Sequence, residues 1–208
     1  MPKLVLTYFD FDGGRGETAR LALHIGGVPF EDRRIAGKDW PALREQAPFR
    51  ALPTLEVDGK VVTQSTAILR YAGKLAGLYP KDDWQALLCD EAMDAAEDIG
   101  EKIGATIDAG LSGEAKKKAR EELAAGPIPR FLQALEKKLQ AAGGEWFADG
   151  RLTVADLKVW MWVRWLRSGV LDHIPKDLTD RTAPLLAKHA ERLAAHPKIA
   201  AYYAARKK

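Results

Sequence analysis

Tyr8 closes a short apolar strand, and after Phe9-Asp10-Phe11-Asp12 the chain passes through Gly13-Gly14-Arg15-Gly16 before a helical pattern begins. A phenol, a guanidinium and a run of glycines at a helix entrance are suited to stabilising a negative atom. The glycines allow close backbone approach, and the first helical turn offers unpaired N–H groups at the positive end of the macrodipole. Taken alone, Tyr8 has a plainer reading as a half-buried aromatic with its hydroxyl in water. A second group is Gln64-Ser65, directly ahead of an apolar-periodic run. Ser65 is a good N-cap; if both side chains project from the helix start, they offer an amide, a hydroxyl and several N–H groups to an amino-acid carboxylate. Third, Pro53 opens a strand and donates nothing to a ladder, so an edge or first position is expected. A cis bond after Leu52 would turn the Leu52 backbone outward to pair with an extended peptide.

Holding three such groups together requires a small sheet with helices packed on it. Lys3–Tyr8 reads as a strand from its β-branched and aromatic content, and residues 17–26 recur at helical spacing through Ala19, Ala22 and Leu23 before stopping at Gly26-Gly27. Residues 28–35 form a weaker strand. Residues 52–63 are two short apolar runs joined by Asp58-Gly59, which predicts a tight hairpin, and a helix is expected over 65–77. Residues 78–83 read as a linker. From Trp84 only helix-period patterns occur, over 84–110, 114–125, 129–142, 153–169, 182–194 and 197–206. The expectation is an α/β domain over 1–77 followed by an all-α domain over 84–208.

Composition narrows the classes further. The 32 basic and 29 acidic residues among 208 are interspersed, apart from Lys116–Lys118 and the tail Arg206-Lys207-Lys208, so nucleic-acid binding is not indicated. There is no apolar run of membrane-spanning length and no signal-peptide pattern, which makes the cytoplasm the expected address. Cys89 is the one cysteine and the four histidines (His24, His173, His189, His196) are scattered, so neither a disulfide framework nor a metal site is expected. Thr153 and Asp156 have the spacing of a helix-opening capping box, which assigns Asp156 to folding. Trp160, Trp162 and Trp165 read as core and interface, Cys89 as a small buried residue, and Asp94, Glu97 and Asp98 as a solvated or interface face of one helix.

The stretches "LTYFDFDGGRGETAR", "KDWPALREQAPFRALPTLEVDGKVVTQSTAILRYAGKLAGLYP" and "LTVADLKVWMW" together resemble the cytosolic glutathione transferases, most like the sigma class. The resemblance implies a thioredoxin-like first domain with a mixed four-stranded sheet that binds glutathione, and a helical second domain that forms the electrophile pocket. It implies that Tyr8 donates a hydrogen bond to the glutathione sulfur and that Arg15 supports the thiolate. Trp40 and Arg44 would hold the glycyl end, and Leu52 before Pro53 would pair with the cysteinyl unit. Gln64 and Ser65 would grip the γ-glutamyl carboxylate, with Asp98 reaching the glutathione of the other subunit of a homodimer. The electrophile pocket would involve Phe9, Gly14, Ala105, Lys158 and Trp162. Glutathione is the implied cosubstrate, a small hydrophobic electrophile the implied partner, and no metal is required.

The implied chemistry has a definite size. A thiol with a pKa of about 8.5 is only about 3% ionised at pH 7, and lowering it by ~2 units takes ~2.7 kcal/mol of preferential thiolate stabilisation. A charge-assisted O–H···S contact with a nearby cation can supply that amount. This sequence departs from the sigma pattern in three places: the turn before Arg15 is one residue longer, Ala105 stands where a tryptophan is expected, and Lys158 where a tyrosine is. Prostaglandin isomerisation, known within the sigma class, is therefore disfavoured. Glutathione-dependent peroxide reduction and a non-catalytic ligand-binding or structural role on the same fold are the rival readings.

Overall fold

The computed structural model describes residues 1–206; Lys207 and Lys208 of the basic tail lie outside the described residues. The chain divides into two compact units, one of Met1–Tyr79 with the C-terminal segment that begins at His196, the other of Pro80–Ala195.

In the first unit, β1 (Leu4–Phe9), β2 (Glu31–Ile35), β3 (Thr54–Val57) and β4 (Lys60–Val62) form a four-stranded sheet in the order β2-β1-β3-β4. β1 pairs parallel with β2 and antiparallel with β3, which pairs antiparallel with β4, so the sheet is mixed. β1 lies between β2 and β3, and its successive residues Leu4, Val5 and Leu6, which alternate between the two faces, are all buried. The β3–β4 hairpin turns at Asp58 and Gly59, both at positive φ (49° and 83°), as the dipeptide predicts. Helices α1 (Gly14–Gly26) and α3 (Ser65–Leu75) pack together, with Gly26 set directly against Ala76. Between β2 and β3 lies a segment for which the sequence predicts no element; it holds the one-turn helix α2 (Trp40–Leu43) and short 3₁₀ turns.

The second unit is helical: α4 (Asp83–Asp108), α5 (Gly113–Ala125), α6 (Pro127–Ala141), α7 (Val154–Arg167), α8 (Leu178–Thr182) and α9 (Pro184–Ala195). Helix α7 is buried along nearly its whole length, mostly by apolar residues but with Asp156 and Lys158 enclosed among them, and is the axis around which the unit packs. Asp156 is fully buried at its start and accepts from the Thr153 N–H (2.8 Å) and hydroxyl (2.8 Å), completing the capping box. The predicted helix over 182–194 is α9, which starts two residues later because Pro184 disfavours the helical conformation at Ala183; the short α8 before it is not predicted. Helix α10 (Pro197–Arg206), counted with the helices of 84–208 in the sequence, packs on α1. Its Tyr202 hydroxyl bonds Arg34 (3.1 Å), Lys198 Nζ donates to the Ile25 carbonyl (2.6 Å), and Arg206 pairs with Asp12.

Candidate functional site

The register of the sheet decides which residues of the first unit share a place. Tyr8 follows Thr7, which faces Thr54 at the start of β3, and Phe9 faces Ile35 at the end of β2. Val62, at the end of β4, faces Leu55. The C-terminal ends of β1, β2 and β4 and the N-terminal end of β3 therefore meet at one edge. From that edge emerge the glycine turn carrying Arg15, the segment carrying Trp40 and Arg44, the Leu52-Pro53 bond and the start of α3 with Gln64 and Ser65. The candidates of the first unit, scattered over its sequence, thus lie on segments that leave one end of the sheet.

Tyr8 is 7% exposed, and its hydroxyl oxygen accepts a hydrogen bond from the Arg15 backbone N–H at 3.1 Å. The sequence points to the Arg15 guanidinium; the contact to the phenol is made by its main chain, at the free N-terminus of α1. Glycine is required here sterically. A Cβ on Gly14, which sits at φ 70°, would lie 2.5 Å from the Tyr8 hydroxyl, and one on Gly16 would collide with the ring itself. Burial raises the Tyr8 pKa, opposed first by the Arg15 N–H bond and then by the charges of Arg15 and Arg20. An aromatic wall continues from the phenol: Phe9 lies 5.4 Å and Phe11 5.7 Å from Tyr8 by ring centroids, and Trp40 stands edge-on to Phe9 at 5.8 Å.

The Leu52-Pro53 bond is cis, Pro53 is buried and Leu52 half-buried. At α3 the sequence reading needs correction. Ser65 is not the N-cap but the first helical residue, because Gln64 adopts φ 74° and its carbonyl accepts the first helical bond, from Ile68 N–H at 2.9 Å. Gln64 is exposed and Ser65 half-buried, both at the helix start. Arg44 is exposed and Trp40 half-buried.

In the helical unit, Asp98 and Ala105 are exposed on α4. Trp162 of α7 packs on Gly100, where any Cβ would strike the indole. Lys158, expected to line a pocket, is 1% exposed and its ammonium pairs with Glu97; it is an internal ion pair between α7 and α4 and presents no open wall. Cys89 is fully buried, with its thiol pushed up to about 12 by desolvation, and is inert. Among the described residues, no group of three or more His, Cys, Asp or Glu is arranged to hold a metal ion, and no helix is long and apolar enough to cross a membrane.

Two buried charged residues escaped the sequence reading. Glu17 and Arg20 are both at 0% exposure on α1. Their three-residue spacing, at positions neighbouring the apolar Ala19, was the available signal, since such a pair can shield itself inside a fold.

Comparison with known proteins agrees with this arrangement. The family model "Glutathione S-transferase, N-terminal domain" matches residues 4–74, and "Glutathione S-transferase, C-terminal domain" matches residues 97–206. Glutathione S-transferase 1 of Ascaris suum is 40% identical over 161 residues, covering 76% of this chain and 78% of that one. Hematopoietic prostaglandin D synthase of Gallus gallus is 33% identical over 208 residues, covering 100% and 98%. The crystal structure of the glutathione S-transferase from Ascaris lumbricoides matches with a TM-score of 0.86 at 36% identity, over 100% of this chain and 98% of that one.

Proposed function

This chain belongs to the glutathione S-transferase family and is a glutathione transferase, and from that premise we propose how its residues divide the reaction. The enzyme activates the glutathione thiol as a thiolate, which attacks a hydrophobic electrophile; the nucleophile is carried by the cosubstrate. Tyr8 is the sulfur ligand. The observation that carries this reading is the bond from the Arg15 N–H to the Tyr8 oxygen. With a lone pair of that oxygen so engaged, the phenol's own hydrogen is left to donate, and a donor strengthened by an accepted bond suits a thiolate. Arg15 adds positive charge at the same helix terminus.

Gln64 and Ser65 bind the γ-glutamyl carboxylate at the start of α3, the Leu52 backbone pairs with the cysteinyl unit, and Trp40 and Arg44 hold the glycyl end. Candidate electrophile contacts in the first unit are Phe9, in the aromatic wall beside Tyr8, and Gly14. The protein is a cytoplasmic homodimer of sigma type, with Asp98 directed to the other subunit's glutathione; a two-fold arrangement makes that contribution reciprocal. Static light scattering of the purified protein tests this, with the mass of two chains expected and that of one chain contradicting it.

Prostaglandin isomerisation is a second reading, favoured by the Gallus gallus relative. Against it stand the small Ala105 and the internal pairing of Lys158 with Glu97.

Steady-state conjugation of glutathione to a reactive aryl halide tests the division of labour. Tyr8→Phe is expected to lower kcat/KM at pH 6.5 by roughly 10- to 100-fold, the scale of ~2.7 kcal/mol at its upper end. Ser65→Ala should instead raise the KM for glutathione about tenfold, the value of one hydrogen bond to a charged group. Parent-like turnover by Tyr8→Phe would remove Tyr8 from the chemistry.

A further inference from the structure

Arg20 lies on α1 one turn after Gly16, fully buried, and the proposed mechanism does not use it. An enclosed guanidinium is tolerated only when its donors are matched. Here Nε donates to Asp32 Oδ1 at 2.7 Å and Nη1 to Glu17 Oε2 at 3.1 Å. Two more donors go to main chain: Nη1 to the Phe11 carbonyl at 3.3 Å and Nη2 to the Phe9 carbonyl at 3.1 Å. Those two carbonyls flank the first residues after Tyr8, so one side chain grips the strand end and the turn leading to Arg15. The guanidinium carbon also stands over the Tyr8 ring, 5.5 Å from its centroid. A cation at the face of a phenol favours the electron-rich form of the ring and so makes the O–H a better donor. Of the two carboxylates on Arg20, Asp32 is shared with Arg34 (2.6 Å), whereas Glu17 is enclosed with Arg20 at 0% exposure. Glu17 is thus the carboxylate enclosed with Arg20; burial pushes its carboxyl up, opposed by the Arg20 hydrogen bond and charge.

We propose that Arg20 is a positioning residue of the thiol-activating centre: through the Phe9 and Phe11 carbonyls it fixes Tyr8, and through its charge on the ring face it strengthens the Tyr8 hydroxyl as a donor to the glutathione sulfur. This rests on the assignment of Tyr8 as the sulfur ligand. The charge of Arg20 acts on the phenol in the direction required, against the effect of burial.

The test uses opposite signs. The thiolate absorbance of bound glutathione and the phenol titration of Tyr8, followed by NMR of ring-labelled tyrosine, are measured in the parent, in Glu17→Gln and in the double variant Glu17→Gln/Arg20→Met. Glu17→Gln retains an acceptor for Nη1 and removes negative charge, so both pKa values should fall by about half a unit. The double variant removes the cation together with a carboxylate it would leave unpaired. Both values should then rise by about half a unit or more, with kcat at pH 6.5 reduced roughly threefold and the KM for glutathione changed less than about twofold. If the double variant does not fold, the sign of the Glu17→Gln shift decides alone. Unmoved titrations, or shifts of the same sign in both variants, would overturn the role of Arg20. A Tyr8→Phe control separates the two claims. If Tyr8→Phe releases the bound thiol while the charge variants do not move it, only Arg20 is lost; if Tyr8→Phe leaves the thiol at the parental value, both fall.

Discussion

At the scale of single residues, the chemistry turns on a phenol oxygen that accepts from one neighbour and is left to donate to another. The sequence disclosed the parts, since a strand-end tyrosine before Gly-Gly-Arg-Gly is a legible anion device. It did not disclose that the Arg15 main chain makes the contact, because a backbone bond depends on the turn's conformation and not on residue type. Nor did it show Arg20, because an arginine within a helix ordinarily reads as solvated. The close fit around Tyr8 yields a prediction: Gly14→Ala brings a Cβ to 2.5 Å from the hydroxyl at φ 70°, and kcat/KM should fall at least about tenfold while the protein still folds. Steady-state kinetics beside circular dichroism check this, and unchanged kinetics would mean that the hydroxyl can move without consequence. Cys89 gives a pH-dependent prediction. Its thiol is raised by burial to about 12, whereas in the unfolded chain it ionises from about 8.5. Above that pH the unfolded state loses its proton first, so this group lowers stability with rising pH until about 12. Denaturant unfolding between pH 8 and 10 should show stability falling by up to about 1.4 kcal/mol per unit from this group, and a slope unaltered in Cys89→Ala would contradict it.

At the scale of elements, the capping box was readable because it is local: Thr153 and Asp156 satisfy each other within one turn. What Asp156 also does was not readable. Its Oδ1 accepts from the Phe147 N–H at 3.1 Å and meets His189 Nε2 at 2.9 Å, ties to residues nine and thirty-three positions away. Asp156→Ala would leave the Thr153 and Phe147 N–H groups buried without partners, and a loss of about 3–5 kcal/mol is expected in urea unfolding. A loss below about 1 kcal/mol would mean water replaces the carboxylate. The hairpin was legible for the same local reason, from Asp58-Gly59. Helix α3 begins at Ser65 as expected, but its N-cap is Gln64 and not Ser65, because Gln64 takes a positive φ, a conformation that a non-glycine residue seldom announces. The start of α9 at Pro184, two residues later than expected, could have been taken from that proline alone.

For the molecule as a whole, helical periodicity identified α10 as a helix but says nothing about which neighbour its apolar face will meet. By its contacts it groups with the first unit, through α1. The first unit is consequently built from both ends of the chain, with Ile199 and Tyr202 buried in it. Deleting the chain from His196 should lower the Tm by roughly 10 °C, the scale of two large buried side chains in a protein of this size. A Tm within about 2 °C of the parent would show that α10 contributes little. The central claim remains that Tyr8 turns a bound thiol into a thiolate. The most direct measurement is the pH titration of thiolate absorbance for glutathione bound to the parent and to Tyr8→Phe. The account predicts a parental thiol pKa about 2 units below the free value and a return toward about 8.5 in the variant; tight binding with an unshifted thiol in the parent would contradict it.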